Sequence, residues 1–299
     1  MRREAEALRD AGFEVHVVSL HGSGERALDL VDGVRVFRLP LGRKRAGQLR
    51  YLFDYAAFFS LALPTVAKLH LRHRYALVQV NTMPDFLVFA ALGPKLVGTR
   101  VLLDVQELMP ELYASKFGLS LNHPLVKVIA AQERISAGFA DAVMTVHEPG
   151  RVLLLGRGVR VDAVVMNSPD ERFFPRRASA PLPRDGELRL ISHGTLVERY
   201  GFDTAIRAVA ILRQRFPRVR LTILGDGEFA PALRNLVNEL DLGAHVELLG
   251  FRPLETLADL LAQAHVGIAA NKIDDFTRLI LPTKLLEYVA VGVPAVVAR

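Results

Sequence analysis

The sequence predicts an α/β protein of two facing, doubly wound, Rossmann-like domains. Three observations carry that prediction. Short β-branched runs alternate with amphipathic stretches of helix length. The alternation occurs twice, on either side of a segment dense in proline and charge. The chain, 299 residues with 51% hydrophobic content, is long enough for two cores.

In order along the chain, the first half opens on a charged amphipathic helix, Arg2 to Ala11. Candidate strands follow at Glu14 to Leu20, Val34 to Leu39, Ala76 to Val80, Arg100 to Val105, Ala142 to Val146 and Val161 to Met166. The segment DERFFPRRASAPLPRDGE reads as a linker and places the break near Arg176, giving domains 1–175 and 176–299. The second half predicts strands at Leu188 to Ser192, Arg220 to Leu224, Val246 to Leu249, Val266 to Ala269 and Ala295 to Ala298. Helices at about Gly201 to Arg215, Ala230 to Leu240, Pro253 to Ala264 and Thr283 to Val291 lie between them. A doubly wound sheet is built from a central first strand, and here no strand precedes the first helix. The reading therefore expects a gap in the middle of the first sheet and an abbreviated second domain that stops directly after a strand.

Composition narrows the function classes. Cysteine is absent, which removes disulfides and thiolate metal sites and suits a reducing compartment. The histidines lack HExxH-type spacing, so no metal site is expected. The net charge of +6 is spread over both halves, which argues against nucleic acid as a partner. One local exception is Arg35, Arg38, Arg43, Lys44, Arg45 and Arg50, leading into YLFDYAAFFSLALPTVAKLHLRHR. Asp54 and Pro64 interrupt that apolar run, so it does not read as a transmembrane span. The Arg35 to Arg74 region reads either as a surface for anionic lipid or as a core helix beside a solvated basic loop. No secretory signal is visible, and the expected location is cytoplasmic, peripheral at the inner face of the plasma membrane.

Candidate chemistry gathers at the strand ends of the second half. In LPTKLLEYVAVGVPAVV, Pro282 starts a helix whose first amides, Thr283 to Leu285, are available to an anion. Lys284 adds positive charge, and Glu287, one turn on, can accept two hydrogen bonds from neighbouring hydroxyls such as those of a ribose. Gly194, Thr195 and Arg199 lie in LISHGTLVERYG, where backbone amides can meet phosphate oxygens. The turn Gly225-Asp226-Gly227 and the strand end at Phe251 complete the set. Taken singly, each reads equally as a plain turn or a core residue. Four such loops in one domain point to a ligand.

The order SHGTLVERYG, TILGDGE, LLGF and LPTKLLEYVAVGVPAVVA resembles the donor-binding domain of retaining glycosyltransferases of family four, which have the GT-B fold. The first half is similar to the same family in VNTMPDFLVFAA, LLDVQELMPELYASKFG, ADAVMTVHEPGRVLLLGRGV and VVMNSPDERFF. The resemblance implies a metal-independent, cofactor-free transfer of a hexose from a nucleotide-sugar donor to a glycan or lipid-linked acceptor, with retention of configuration. It makes the first domain the acceptor side and the second the donor side. Glu287 matches the second carboxylate of the E-x7-E motif, and the main chain of Pro282 to Lys284 matches the diphosphate-binding helix start. The first carboxylate falls at Leu279, so its contact is lost or supplied by Asp274, Asp275 or Thr277. The phosphate-binding arginine and lysine fall at Thr195 and Tyr200, with Arg199 as a partial substitute. Where the family often has a histidine near the reacting sugar, this chain has Gln106, which cannot take a proton. Glu107 and Glu111 are acid/base or acceptor-orienting candidates, with helix-start and solvated-face roles as the alternative. Asp85 reads as a helix N-terminal charge. These departures keep a second reading open, a catalytically impaired sugar-nucleotide or glycan-binding module; an epimerase or phosphorylase of the same fold fits less well.

Overall fold

The computed structural model describes residues 1–22, 24–42, 48–176 and 187–298, apart from the side chains of 48–52. Arg43, Lys44 and Arg45, the Arg50 side chain and most of the proline-rich linker lie outside the described residues. The chain forms two compact units, Met1–Met166 and Asn167–Arg299. The division precedes the expected break near Arg176 because Phe174 packs with Ile191, Leu257 and Tyr288 in the core of the second unit.

The first unit runs α1 (Arg2–Asp10), β1 (His16–Leu20), β2 (Leu28–Val31), β3 (Val34–Leu39), α2 (Gln48–His73) and β4 (Leu77–Asn81). A short 3-10 helix (Asp85–Ala91) leads to α3 (Leu92–Leu96), β5 (Arg100–Val105), α4 (Met109–Phe117), α5 (Pro124–Phe139), β6 (Ala142–Thr145), α6 (Glu148–Gly156) and β7 (Ala163–Val164). The strands make two sheets, β1-β3-β2 and β4-β5-β6-β7, so β1 and β4 are each an edge. Residues along β1 are only half-buried. The four-stranded sheet is parallel throughout. Strand β2 was not expected from the sequence. It pairs antiparallel with β3 across Asp32-Gly33, whose φ values of 48° and 76° are those of a two-residue hairpin turn.

Helix α2 buries Ala62 against Leu39 and Ala90, while Phe53 and Leu71 are exposed. It therefore has a core face, as one of the two sequence readings expects, with an exposed apolar residue towards each end. No helix among the described residues is long and apolar enough to cross a membrane.

The first unit also buries a charged cluster. Arg157 hydrogen-bonds Glu111 and Glu133, both 1% exposed, and the wholly buried Asp85 stands within its electrostatic reach. One guanidinium cannot neutralise three buried carboxylates. Burial pushes the Asp85 carboxyl up to about 7 and that of Glu133 up to about 8. Glu111 stands in the first turn of α4, as the helix-start reading has it, but it is buried and paired with Arg157, neither on a solvated face nor open to an acceptor.

The second unit is a single parallel sheet in the order β10 (Val246–Gly250), β9 (Arg220–Leu224), β8 (Arg189–His193), β11 (Val266–Ala269), β12 (Ala295–Val297). Helices α7 (Phe202–Leu212) and α8 (Ala230–Glu239) share one core with Leu221 and Ile223. Helices α9 (Leu254–Ala262) and α10 (Thr283–Val291) share the other with Ile191 and Leu224. Successive apolar residues such as Leu190 and Ile191, or Ile223 and Leu224, thus point to opposite, covered faces. The strand order reverses between β8 and β11, and such a switch point leaves a crevice at the carboxyl ends of the strands.

Candidate functional site

That crevice is where the sequence-predicted residues of the second unit converge. Strand β8 ends at His193 and turns through Gly194, whose backbone amide donates to Leu224 O. Strand β9 ends at Gly225, φ +133°, where a Cβ would lie 1.9 Å from Gly194 O. The β8 and β9 loops are therefore in backbone contact, which only glycine permits. At Gly201, φ +67°, a Cβ would lie 1.7 Å from Ala270 O, so the start of α7 is pressed onto the end of β11 in the same way.

Helix α10 is fixed by Tyr288. Its ring is fully buried against Gly267 of β11, with its hydroxyl 3.3 Å from Ile268 O and 3.4 Å from Ile191 O. The neighbouring residues of α10 are then held beside the end of β8. Glu287 Oε2 comes 3.2 Å from His193 Nε2, and the His193 ring meets Tyr288 edge-on at 5.3 Å. Lys284, 7% exposed, places Nζ 4.6 Å from the Phe202 ring centre and 5.4 Å from that of Tyr200. Tyr200, where the family resemblance expected a lysine, instead supplies an aromatic face to a lysine from α10.

Polar atoms here are buried without being satisfied. Neither Lys284 Nζ nor His193 Nε2 has a hydrogen-bond partner. Burial lowers the Lys284 ammonium to about 8, with Glu287 opposing the shift, and raises the Glu287 carboxyl to about 7, with Lys284 opposing it. Burial and then the nearby Lys284 hold His193 down to about 3, so its imidazole is neutral and its contact with Glu287 is not an ion pair. Arg199 Nε is likewise buried and unpartnered, and its guanidinium lies 5.4 Å from the Tyr200 ring centre. Buried polar groups without partners are uncommon, and several of them at one switch point make it a candidate binding site.

The remaining predicted residues take clear positions. The Leu285 amide donates to Pro282 O at 2.9 Å, so it is engaged, which corrects the expectation of three open amides. Helical geometry leaves the amides of Thr283 and Lys284 without acceptors inside α10. Thr195 and Asp226 are exposed, with Asp226 Oδ1 accepting from Gly227 N at 2.8 Å. Phe251, 74% exposed at the end of β10, is a ring on the surface and not a core residue. Asp274 Oδ1 accepts from the amides of Phe276 and Thr277, and Asp275 pairs with Arg278 at 3.0 Å. Those contacts shape the turn that carries these residues.

In the first unit, Gln106 and Glu107 follow β5. The Gln106 amide nitrogen Nε2 donates to Asp104 Oδ2 at 2.7 Å, an oxygen that also accepts from Asn81 Nδ2 at 2.6 Å. The backbone amides of Gln106 and Glu107 donate to Thr82 Oγ1. The loop is held by these bonds, and both side chains are half-buried. His193 is the site residue that the sequence reading passed over. Its only signal was position, the last residue of a strand before a glycine.

Residues 1–170 match the family described as glycosyl transferase 4-like domain, and residues 187–299 match glycosyl transferases group 1. Among curated relatives, the chain is 33% identical over 126 residues to a putative colanic acid biosynthesis glycosyltransferase, WcaL, of Escherichia coli, covering 42% of this chain and 30% of that protein. It is 33% identical over 110 residues to the amylovoran biosynthesis glycosyltransferase AmsK of Erwinia amylovora, covering 36% and 27%. The aligned region thus spans less than a third of either relative. Among solved structures, sucrose-phosphate synthase of Thermosynechococcus elongatus superposes with a TM-score of 0.75 at 20% identity, over 99% of this chain and 75% of that one. HepE of Anabaena, in complex with UDP-glucose, gives 0.65 at 16% identity over 94% and 80%. With a match over more than half its length, and with two Rossmann-like units in the GT-B class, the chain belongs to the glycosyl transferase 4-like family.

Proposed function

We propose that this chain is a retaining hexosyltransferase that takes its sugar from a nucleotide-sugar donor held by the second unit. The receiving group is a glycan or lipid-linked acceptor, and the chain works at the cytoplasmic face of the membrane. The observation that carries this reading is the cluster at the switch point: the buried, unpartnered Lys284 Nζ and His193 Nε2 beside the raised Glu287 carboxyl. A nucleoside diphosphate supplies partners for Lys284 and Glu287. Its phosphates supply negative charge to Lys284, Arg199 and the first amides of α10, and its ribose hydroxyls donate to Glu287. As the glycosidic bond to the donor breaks, charge grows on the departing diphosphate, and fixed cations and amides in a water-poor site oppose it without reorganising. That HepE was crystallised with UDP-glucose, and that the relatives serve polysaccharide biosynthesis, supports the same assignment.

The acceptor side of the reading rests on Gln106 and Glu107. Glu107 is the candidate to orient or deprotonate an acceptor hydroxyl. The hydrogen bond that holds Gln106 to Asp104 favours the second reading, a module that binds the donor without turning it over. Calorimetry with UDP- and GDP-sugars and a radiolabelled transfer assay test both. The proposal expects nucleotide binding that Glu287→Ala weakens at least tenfold and Glu107→Ala leaves within twofold, together with turnover. Equal affinities for wild type and Glu287→Ala remove the donor-site assignment, and binding without turnover selects the binding module.

A further inference from the structure

In the first unit, three metal-ligating side chains converge from distant parts of the chain. Glu14 precedes β1, His16 begins it, and His73 ends α2. One ligand atom from each lies within 4.8 Å of the others. Glu14 Oε1 is 3.1 Å from His16 Nε2 and 3.6 Å from His73 Nδ1, and the two imidazole rings cross at 86° with centres 4.4 Å apart.

These separations decide the reading. Around a tetrahedral zinc ion with bonds of about 2.0–2.2 Å, neighbouring ligand atoms stand roughly 3.3–3.5 Å apart. The His16 side chain is 2% exposed, yet its Nε2 has no hydrogen-bond partner although a carboxylate oxygen is at hand. His16 Nδ1 is 2.6 Å from Tyr75 Oη. When Nδ1–H donates to that oxygen, Nε2 keeps its lone pair, the outer-shell arrangement that metal-bound histidines adopt. Sequence spacing conceals the set, since His73 is brought to the other two only by the fold.

We propose that Glu14, His16 and His73 bind a zinc ion that clips the start of β1 to the end of α2, with water as the fourth ligand. Arg35, 3.2 Å from the same Glu14 oxygen, is the one cation facing the site among the described ion pairs. It competes with the metal, so removing it tightens binding.

The test is zinc titration of the untagged, metal-stripped full chain against a chromophoric chelator, with cobalt(II) absorption as a report on coordination. Expected are one zinc per chain, a visible cobalt spectrum of four-coordinate intensity, and affinity at least tenfold weaker in both Glu14→Gln and His73→Gln. Arg35→Met should bind severalfold tighter. Because His16 is buried and its replacement endangers folding, the exposed Glu14 variant carries the decision. Wild type that binds no zinc at micromolar free metal overturns the proposal. So does zinc that binds equally to wild type and Glu14→Gln, which assigns it to other histidines. An Arg35→Met affinity no tighter than wild type overturns the competition by Arg35.

Discussion

Replacing Lys284 by methionine separates what the donor site costs from what it binds. The ammonium falls from an ordinary 10.5 to about 8 on burial, which corresponds to ~3 kcal/mol against carrying its proton in the folded state. Methionine has nearly the same length and no charge, so it removes that cost. It also loses the cation–π contact with Phe202, which offsets about 1–2 kcal/mol. The net expectation is a ligand-free protein stabilised by about 1–2 kcal/mol at pH 7, a rise in Tm of roughly 2–8 °C. Nucleoside-diphosphate affinity should fall by about 1.5–3 kcal/mol, or roughly 10- to 150-fold, the worth of a hydrogen bond to a charged partner. The pH dependence supplies a control. Between pH 8 and 10.5 the unfolded chain binds this proton and the folded chain does not, so wild-type stability gains ~3 kcal/mol from this group as pH rises. The variant should lack that gain. Thermal melts with and without nucleotide, at pH 7 and pH 10, measure all of it. A Lys284→Met protein that is less stable than wild type at pH 7 and binds nucleotide within twofold of it would refute the reasoning.

Other expectations are more compact. Glu287→Gln should flatten stability between pH 4.5 and 7: the folded carboxyl holds its proton to about 7 while the unfolded one releases it near 4.5, so wild type loses up to ~3 kcal/mol as pH rises through that window. Denaturation midpoints at pH 5 and pH 8 check this. Gly201→Ala should destabilise by at least ~2 kcal/mol, because its Cβ would stand 1.7 Å from a backbone oxygen at a positive φ, and urea titration reads it directly. For the Arg35 to Arg74 region, vesicles of anionic lipid at low salt should sediment the chain and neutral vesicles should not. Equal behaviour would reduce the region to core plus basic loop.

Much of this was readable from the chain. The second unit's strands were found where β-branched runs suggested them, because a parallel sheet covered on both faces must be apolar at nearly every position. Helix α10 has the predicted limits, Thr283–Val291, since Pro282 and Gly292 punctuate both ends by backbone geometry alone. Less was readable where long-range packing decides. His193 becomes a site residue only when Tyr288 docks α10 against β8 and β11. Glu111 has the sequence of a solvated helix start, and only the fold brings Arg157 to it. The turn that consumes Asp274 and Thr277 looked like a supply of spare acceptors. Strand β2, by contrast, had a usable signal in Asp32-Gly33 between apolar alternations.

The buried acids around Arg157, together with Glu287 of the second unit, change the protein's electrical identity. The formal charge of +6 counts every carboxylate as ionised. With Glu133 near 8 and Asp85 and Glu287 near 7, about two protons stay on at neutral pH, and the charge approaches roughly +8. Electrophoretic mobility at pH 7 should exceed the value computed from composition, and on folding from the unfolded state at constant pH the chain should take up protons from solution. A buffer with a large ionisation enthalpy would then distort any calorimetric measurement of nucleotide binding to the degree that binding expels the proton from Glu287.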